Sequence, residues 1–152
     1  GIARIPEMLK LGVRVGLAVD GSASNDGSDL LEELRTGFLL HRLNSSSAAP
    51  TGYDMLKIAT RGSASILGRD DIGQIAEGMA ADFFLINMDR LSLTGAQFDV
   101  SSMLGTVGYK GNVDYTVVNG RVVVREGRLT GVDEEKITAE AKQCVSRYLG
   151  RS

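Results

Sequence analysis

The chain has 152 residues, of which 43% are apolar and 24% are charged, and its formal net charge at pH 7 is −2. This composition is typical of a globular protein, and the length suffices for one domain with a buried core. Charges of both signs are spread along the chain, so no basic block favours a nucleic-acid partner. No apolar run approaches the roughly 18 residues of a membrane span. The single cysteine, Cys144, excludes an internal disulfide and favours the cytoplasm.

The first residues do not look like the beginning of a protein. The opening sequence GIARIPEMLK has no initiator Met and no signal-peptide pattern, and helical spacing begins almost at once. We therefore expect the chain to be part of a longer protein. Pro6 and Gly12 bracket a short predicted helix, and a strand is predicted over residues 13–19. Because this strand is apolar apart from Arg14, it is typical of a parallel strand buried on both faces.

A loop and two helices follow the predicted strand. The loop leads into a helix that Asp29 caps, with Glu32 at the capping-box position. The apolar face of this helix is predicted from its spacing and consists of Leu31, Leu34, Phe38 and Leu39. A second helix is predicted over residues 53–67, with Gly68 as its C-terminal stop. This order of helix, strand and helix is typical of a βα repeat.

The pattern changes after residue 68. The stretch GMAADFFLINM contains a strand, and VDYTVVNGRVVVREGRL predicts a hairpin with Asn119-Gly120 as a type I′ turn. The last helix is predicted to begin near Asp133. A buried apolar stripe is expected along it, formed by Ile137, Ala141, Cys144, Val145 and Tyr148.

Asp20 gives the strongest functional signal in the chain. It ends the apolar strand and opens a loop of Gly, Ser, Ala, Asn and Asp, GSASND. In parallel α/β folds ligands gather at the carboxyl ends of strands, and small side chains let the backbone approach a ligand closely. The structural alternative is that Asp20 is an ordinary turn or cap residue.

Other candidate sites fit less well. A calcium loop would take oxygen ligands from Ser22, Ser24 and Asp26 and a bidentate Glu33, but its first ligand should be Asp and its incoming segment should be helical. His41 and Cys144 are predicted to be structural residues. A catalytic zinc site needs about three protein ligands, rich in His. With one His and one Cys, this chain cannot easily build such a site alone.

The segment GVRVGLAVDGSASNDGSDLLEELRTGFLLHR resembles the last barrel strand, loop and helix of the amidohydrolase superfamily. The similarity is to the branch of cytosine, guanine and 8-oxoguanine deaminases, S-adenosylhomocysteine deaminases and s-triazine hydrolases. The stretches MLKIATRGSASILGRDDIGQIAEGMAADFFLINM and VDYTVVNGRVVVREGRL are similar to the segments that enter and close the small β domain of this family. The resemblance covers essentially the whole chain.

This resemblance implies an α/β fold, the C-terminal part of a metal-dependent (β/α)8 barrel plus part of a small β-sandwich domain. A complete barrel of this kind needs about 200 residues or more, so the rest would lie in a missing N-terminal portion or on another chain. The implied division is residues 1–68 for the last βα unit and following helix, 69–132 for the β-sandwich segment, and 133–152 for the C-terminal helix.

The resemblance also implies the role of Asp20, which matches the family's catalytic aspartate at the end of the eighth strand. That residue ligates one divalent metal, zinc or iron, and takes a proton from the metal-bound water. Gly21, Ser24 and Asn25 would contact the substrate. The remaining metal ligands have no counterpart in this chain.

The implied function is aminohydrolase activity, in which metal-bound hydroxide deaminates or dechlorinates an aminated heterocycle. Candidate rings are 8-oxoguanine, which we favour, guanine, cytosine and s-triazines. One alternative is a non-catalytic fragment or partner module without the metal site, and another is a cyclic amide or imidazolone hydrolase of the same superfamily. We expect a cytoplasmic homo-oligomer with no nucleic-acid or membrane partner.

Overall fold

Helices dominate the first half of the chain. The computed structural model describes residues 1–21 and 23–150. The elements of this half are α1 (Ile5–Lys10), α2 (Leu30–Ser45), a 3-10 turn (Ser46–Ala48), α3 (Gly52–Lys57), a π turn (Ile58–Gly62) and α4 (Ser63–Ile66). Gly12 and Gly68 adopt φ angles of 74° and 67° just after α1 and α4. Both helices therefore end at the glycines that the sequence predicts.

Side-chain caps fix the beginnings of two helices. Asp29 accepts hydrogen bonds from the main-chain N–H groups of Leu31 (3.0 Å) and Glu32 (3.2 Å), which confirms it as the cap of α2. The reciprocal bond from Glu32 to Asp29 is absent among the described residues. A complete capping box is found instead at α3, where the Thr51 hydroxyl and the Asp54 carboxylate each accept the other's main-chain N–H.

The predicted strand over residues 13–19 forms no β-ladder with any described residue. A strand is defined by its hydrogen-bonded neighbours, and the only sheet of the described chain lies elsewhere in sequence. Residues 13–19 pack instead against the π turn and α4. A Cβ on Gly16 would lie 2.9 Å from both the Ile66 Cδ1 and the Ser63 Oγ atoms. The strand prediction is therefore wrong for this chain by itself, because the described residues contain no strand that pairs with residues 13–19.

The second predicted helix is observed as α3 and α4 joined by the π turn. The helix predicted over residues 53–67 is therefore confirmed within one residue at each end, and the π turn inside it was not predicted. Gly62 ends the π turn, and the carbonyl oxygen of Val15 occupies the place where a Gly62 Cβ would lie. We attribute the wider turn to this close approach of the two backbones.

A four-stranded antiparallel sheet occupies the second half, in the order β1-β2-β3-β4. The strands are β1 (Phe83–Leu85), β2 (Tyr115–Val118), β3 (Arg121–Arg125) and β4 (Arg128–Leu129). Asn119 and Gly120 have φ angles of 47° and 76°, which confirms the predicted tight turn between β2 and β3. A second tight turn at Glu126 and Gly127 adds β4. Between β1 and β2 lie two 3-10 turns (Leu91–Leu93 and Ala96–Asp99) and α5 (Met103–Thr106).

The hydrophobic core forms where α2, α3 and α5 meet. Leu34 of α2 and Leu93 are almost completely buried, and small residues allow the close crossing of α5 and α3. A Cβ on Gly105 would lie 2.7 Å from the Gly52 Cα atom. The buried cluster also contains Val15, so the core fixes the middle of the segment that leads to Asp20.

The last helix, α6 (Glu134–Tyr148), begins after the Asp133 cap as predicted, but its apolar stripe is not buried. Val145 is 56% exposed, Tyr148 is 89% exposed, and Cys144 is also exposed. The predictions of a buried stripe and of a core cysteine were wrong, because no described element covers this face of α6. Across the described ranges, no helix combines the length and apolar character needed to cross a membrane.

Candidate active site

Asp20 lies at the point where the buried segment reaches the surface. Its side chain is exposed and its φ angle is +66°, a left-handed conformation that costs most residues other than glycine about 1–2 kcal/mol. One carboxylate oxygen, Oδ1, accepts a hydrogen bond from the Gly21 N–H at 2.7 Å. Among the described residues the other oxygen, Oδ2, accepts no hydrogen bond. The carboxylate can therefore offer one oxygen to a cation or a proton.

A tight turn follows Asp20 directly. The main-chain N–H groups of Ser24 and Asn25 both donate to the Gly21 carbonyl oxygen, at 2.9 and 3.0 Å. The Ser24 hydroxyl donates to the same oxygen at 3.1 Å. The structure thus gathers the four predicted site residues, Asp20, Gly21, Ser24 and Asn25, within one turn. Their contact with a substrate stays a prediction.

Asn25 ties this turn to its two neighbouring elements. Its Nδ2 amide donates to the Val19 carbonyl oxygen at 2.6 Å and to Oε1 of Glu33 at 3.1 Å. Its Oδ1 atom accepts the Gly27 N–H at 3.0 Å. Asn25 and Glu33 are both half-buried, whereas residues 20–21, 23–24 and 26–29 of the loop are exposed. One side chain therefore connects the residue before Asp20 with the first turns of α2.

Glu33 has a different role in the structure from the one considered in the sequence. Its spacing suggested the bidentate end of a calcium loop, but its carboxylate is hydrogen-bonded to the amide of Asn25. Ser22, the first ligand of that loop, lies outside the described residues. No sequence pattern identifies this hydrogen bond, because a Glu eight residues after an Asn reaches it only if the loop between them folds back.

The described residues do not contain a complete metal site. No three His, Cys, Asp or Glu side chains of residues 1–21 and 23–150 are grouped so that they could hold a metal ion. His41 is buried, and its ring nitrogens lie 2.7 and 3.2 Å from the carbonyl oxygens of Gly37 and Ala3. It is therefore a structural residue, as predicted. Asp20 is exposed and belongs to no such group of three ligands among the described residues.

Comparison with known proteins gives consistent matches over the whole chain. The model of the amidohydrolase family matches residues 1–123. A hydroxydechloroatrazine ethylaminohydrolase of Pseudomonas sp. (strain ADP) is 45% identical over 97% of this chain. A 5-methylthioadenosine/S-adenosylhomocysteine deaminase of Pelotomaculum thermopropionicum is 38% identical over 99% of it.

A solved structure agrees in fold. The atrazine chlorohydrolase of Arthrobacter aurescens TC1, crystallised with zinc, superposes on 94% of this chain with a TM-score of 0.87 and 38% identity. The chain spans only about a third of each relative, 31% and 35% of the two sequences and 32% of the structure. The similarity therefore supports a partial α/β fold. With the family model matching most of its length, the chain belongs to the amidohydrolase family.

Proposed function

We propose that this chain is the carboxyl-terminal third of a metal-dependent aminohydrolase that acts on an aminated heterocycle. The observation that carries the proposal is Asp20, which leaves the core at the end of an apolar segment with one carboxylate oxygen unengaged among the described residues. In this proposal residues 13–19 are the last strand of a (β/α)8 barrel, and β1 to β4 are part of a small β-sandwich. The missing strands would supply the partners that residues 13–19 lack here.

The chemistry of Asp20 fits a share in a divalent metal site. A carboxylate oxygen is an accepted zinc ligand beside His nitrogens, and iron takes the same donors. Because the described residues hold no group of three ligands, the remaining donors must come from outside them. The proposal therefore assigns Asp20 one ligand position of a single divalent metal, zinc in the first instance.

In this proposal the proton transfer is carried out by a residue of this chain, Asp20. A divalent metal supplies Lewis acidity and lowers the pKa of a bound water towards 7. An exposed carboxylate beside it can accept a proton and return it to a departing amine. In Asp20 the Gly21 N–H donates to one carboxylate oxygen at 2.7 Å, which fixes the orientation of the carboxylate that would accept the proton.

The substrate class follows the relatives, which are named for amino-triazines and adenosine derivatives. Their common chemistry is a ring carbon that bears an amine or another leaving group and is bonded to at least one ring nitrogen. We infer that this protein acts on such a ring, with N-alkylamino-s-triazines first and 8-oxoguanine, guanine and cytosine as further candidates. We also propose that the complete enzyme is a cytoplasmic homo-oligomer.

The proposal is tested by Asp20→Asn in the complete enzyme. Loss of a catalytic proton-transfer group should lower kcat by about 10²–10⁴-fold on the best amino-heterocycle of a substrate panel. Asp26→Asn is the matched control, because Asp26 is an exposed acid of the same loop. If Asp20→Asn retains wild-type turnover, the proposed function is wrong.

The panel should include a cyclic amide and an imidazolone, the substrates of the alternative hydrolase. If the enzyme turns over only the cyclic amide or the imidazolone, amide hydrolysis replaces deamination as the proposed reaction. A zinc titration of the isolated chain tests the other alternative, a module without a metal site. Tight binding of one zinc per chain would contradict that alternative, and the described residues predict no such binding.

A further inference from the structure

We propose that Asn25 and Glu33 are positioning residues that hold Asp20 ready for the metal, rather than substrate contacts. This inference rests on the proposed function, because it assumes that Asp20 is the metal ligand and proton acceptor. It assigns Asn25 a role different from the substrate contact that the sequence predicts. It also assigns a role to Glu33, which no sequence motif identifies.

The hydrogen bonds of Asn25 leave its amide little capacity for a ligand. A side-chain amide has two N–H donors, and here Nδ2 is in contact with two acceptors, Val19 O at 2.6 Å and Glu33 Oε1 at 3.1 Å. The Oδ1 acceptor is engaged by the Gly27 N–H at 3.0 Å. A substrate could use the Asn25 N–H groups only by breaking one of these contacts. The side chain therefore acts within the loop.

The bond to Val19 controls the backbone of Asp20. The Val19 carbonyl and the Asp20 N–H belong to one planar peptide group. Fixing the Val19 oxygen therefore fixes the plane from which the φ angle of Asp20, +66°, is measured. Because left-handed backbone is uncommon for residues other than glycine, it persists where surrounding contacts determine it. Asn25 provides such a contact one peptide away from the carboxylate.

Glu33 connects this contact to a rigid element. It lies in the first turns of α2, and α2 is anchored in the core through Leu34, which is 1% exposed. The carboxylate of Glu33 accepts from Asn25, so a residue of helix α2 sets the orientation of the amide. Groups hydrogen-bonded directly to a metal ligand typically contribute 10–100-fold to metal affinity or activity. Asn25 and Glu33 act on Asp20 less directly, through the Val19 peptide group, so we take this range as the upper limit of their effect.

The experiment uses the complete enzyme and compares two pairs of variants. The first pair is Asn25→Asp with its control Asp26→Ala, and the second pair is Glu33→Ala with its control Glu33→Gln. Asn25→Asp keeps the shape of the side chain but removes both N–H donors, and it places a carboxylate against the Val19 oxygen and Glu33. Glu33→Ala removes the acceptor, whereas Glu33→Gln keeps an oxygen that can accept from Asn25. Asp26→Ala is the control in the same loop. For each variant, the zinc dissociation constant is measured by chelator competition, together with kcat, KM and the Tm of the metal-free protein.

We expect Asn25→Asp and Glu33→Ala to weaken zinc binding by up to about 10–100-fold and to lower kcat, with KM unchanged. Glu33→Gln and Asp26→Ala should remain close to wild type in zinc affinity. A raised KM with unchanged zinc affinity for Asn25→Asp would overturn the inference in favour of substrate contact. A lowered Tm alone, with zinc affinity and kcat intact in both pairs, would overturn it in favour of a merely structural role.

Asp20→Ala distinguishes this inference from the function on which it rests. If Asp20→Ala weakens zinc binding but Asn25→Asp and Glu33→Ala do not, only the positioning role is wrong. If Asp20→Ala leaves zinc binding and turnover unchanged, the proposed function fails, and the positioning role fails with it.

Discussion

The carbonyl oxygen of Val15 lies against Gly62, in the position that a side-chain Cβ at Gly62 would occupy. The next residue of the helix continues this contact, because the Ser63 hydroxyl accepts the Leu17 N–H at 3.2 Å. The segment that carries Asp20 is thus docked on the π turn and α4 through its main chain. These main-chain contacts fix the position of the segment relative to the π turn and α4, although no neighbouring strand pairs with it among the described residues.

This contact predicts that Gly62→Ala destabilises the protein. The added methyl group would overlap the Val15 oxygen and force the segment away from the helix, at a cost of about 1–3 kcal/mol. Gly131→Ala is the matched control, because nothing lies within 4 Å of a Cβ at Gly131. Urea denaturation of the complete enzyme measures both variants. Equal stabilities for the two variants would contradict the assignment of Gly62 as the docking point.

Sequence reasoning predicted those features that depend on neighbouring residues. The cap at Asp29, the start of the last helix near Asp133, the glycine stop at Gly12 and the Asn119-Gly120 turn each follow from a conformational preference within a few residues. The position of Asp20 at the end of an apolar run is of the same kind. The division into residues 1–68, 69–132 and 133–152 stays a prediction.

The features that sequence reasoning missed depend on distant parts of the chain. The π turn ends where Val15 approaches Gly62, 47 residues away in sequence. The exposure of Tyr148 and the missing ladder at residues 13–19 depend on surfaces that the described chain does not supply. A period in the sequence identifies an apolar face, but it does not identify what covers that face.

Asp54 predicts a dependence of stability on pH. The Lys57 ammonium, with the hydroxyl and N–H of Thr51, lowers the pKa of Asp54 from 3.8 to about 2. Because the folded-state pKa is below the unfolded value, the stabilisation by Asp54 is complete above pH 4 and is lost as the pH falls towards 2. We therefore expect the free energy of unfolding of Asp54→Asn to approach that of wild type over this range.

The measurement is urea denaturation of metal-free protein at several pH values between 5 and about 2. Asp26→Asn serves as the control, because Asp26 is exposed and accepts no side-chain hydrogen bond among the described residues. The difference between Asp54→Asn and wild type should narrow more than the difference between Asp26→Asn and wild type. A constant difference for Asp54→Asn would show that the capping box does not hold the carboxylate in its charged form.

The isolated chain is predicted to associate in solution. Among the described residues, the main-chain groups of residues 14–18 find few partners apart from the Ser63 hydroxyl at Leu17. Apolar side chains flank them, with Leu11 81% exposed and Val13 43% exposed. An unpaired extended segment with apolar neighbours is a template for pairing with another chain. Light scattering of the isolated chain should therefore report dimers or larger species.

Two charge substitutions identify the surface responsible. Val13→Lys places a charge on the extended segment, where we expect it to reduce association strongly. Val145→Lys places the same charge on the exposed stripe of α6, where we expect a small effect. The reverse result would assign the association to α6, since its apolar stripe is also uncovered in this chain. A monomeric wild-type chain would contradict the proposal itself, because residues 13–19 would then need no partner strands from the rest of a barrel.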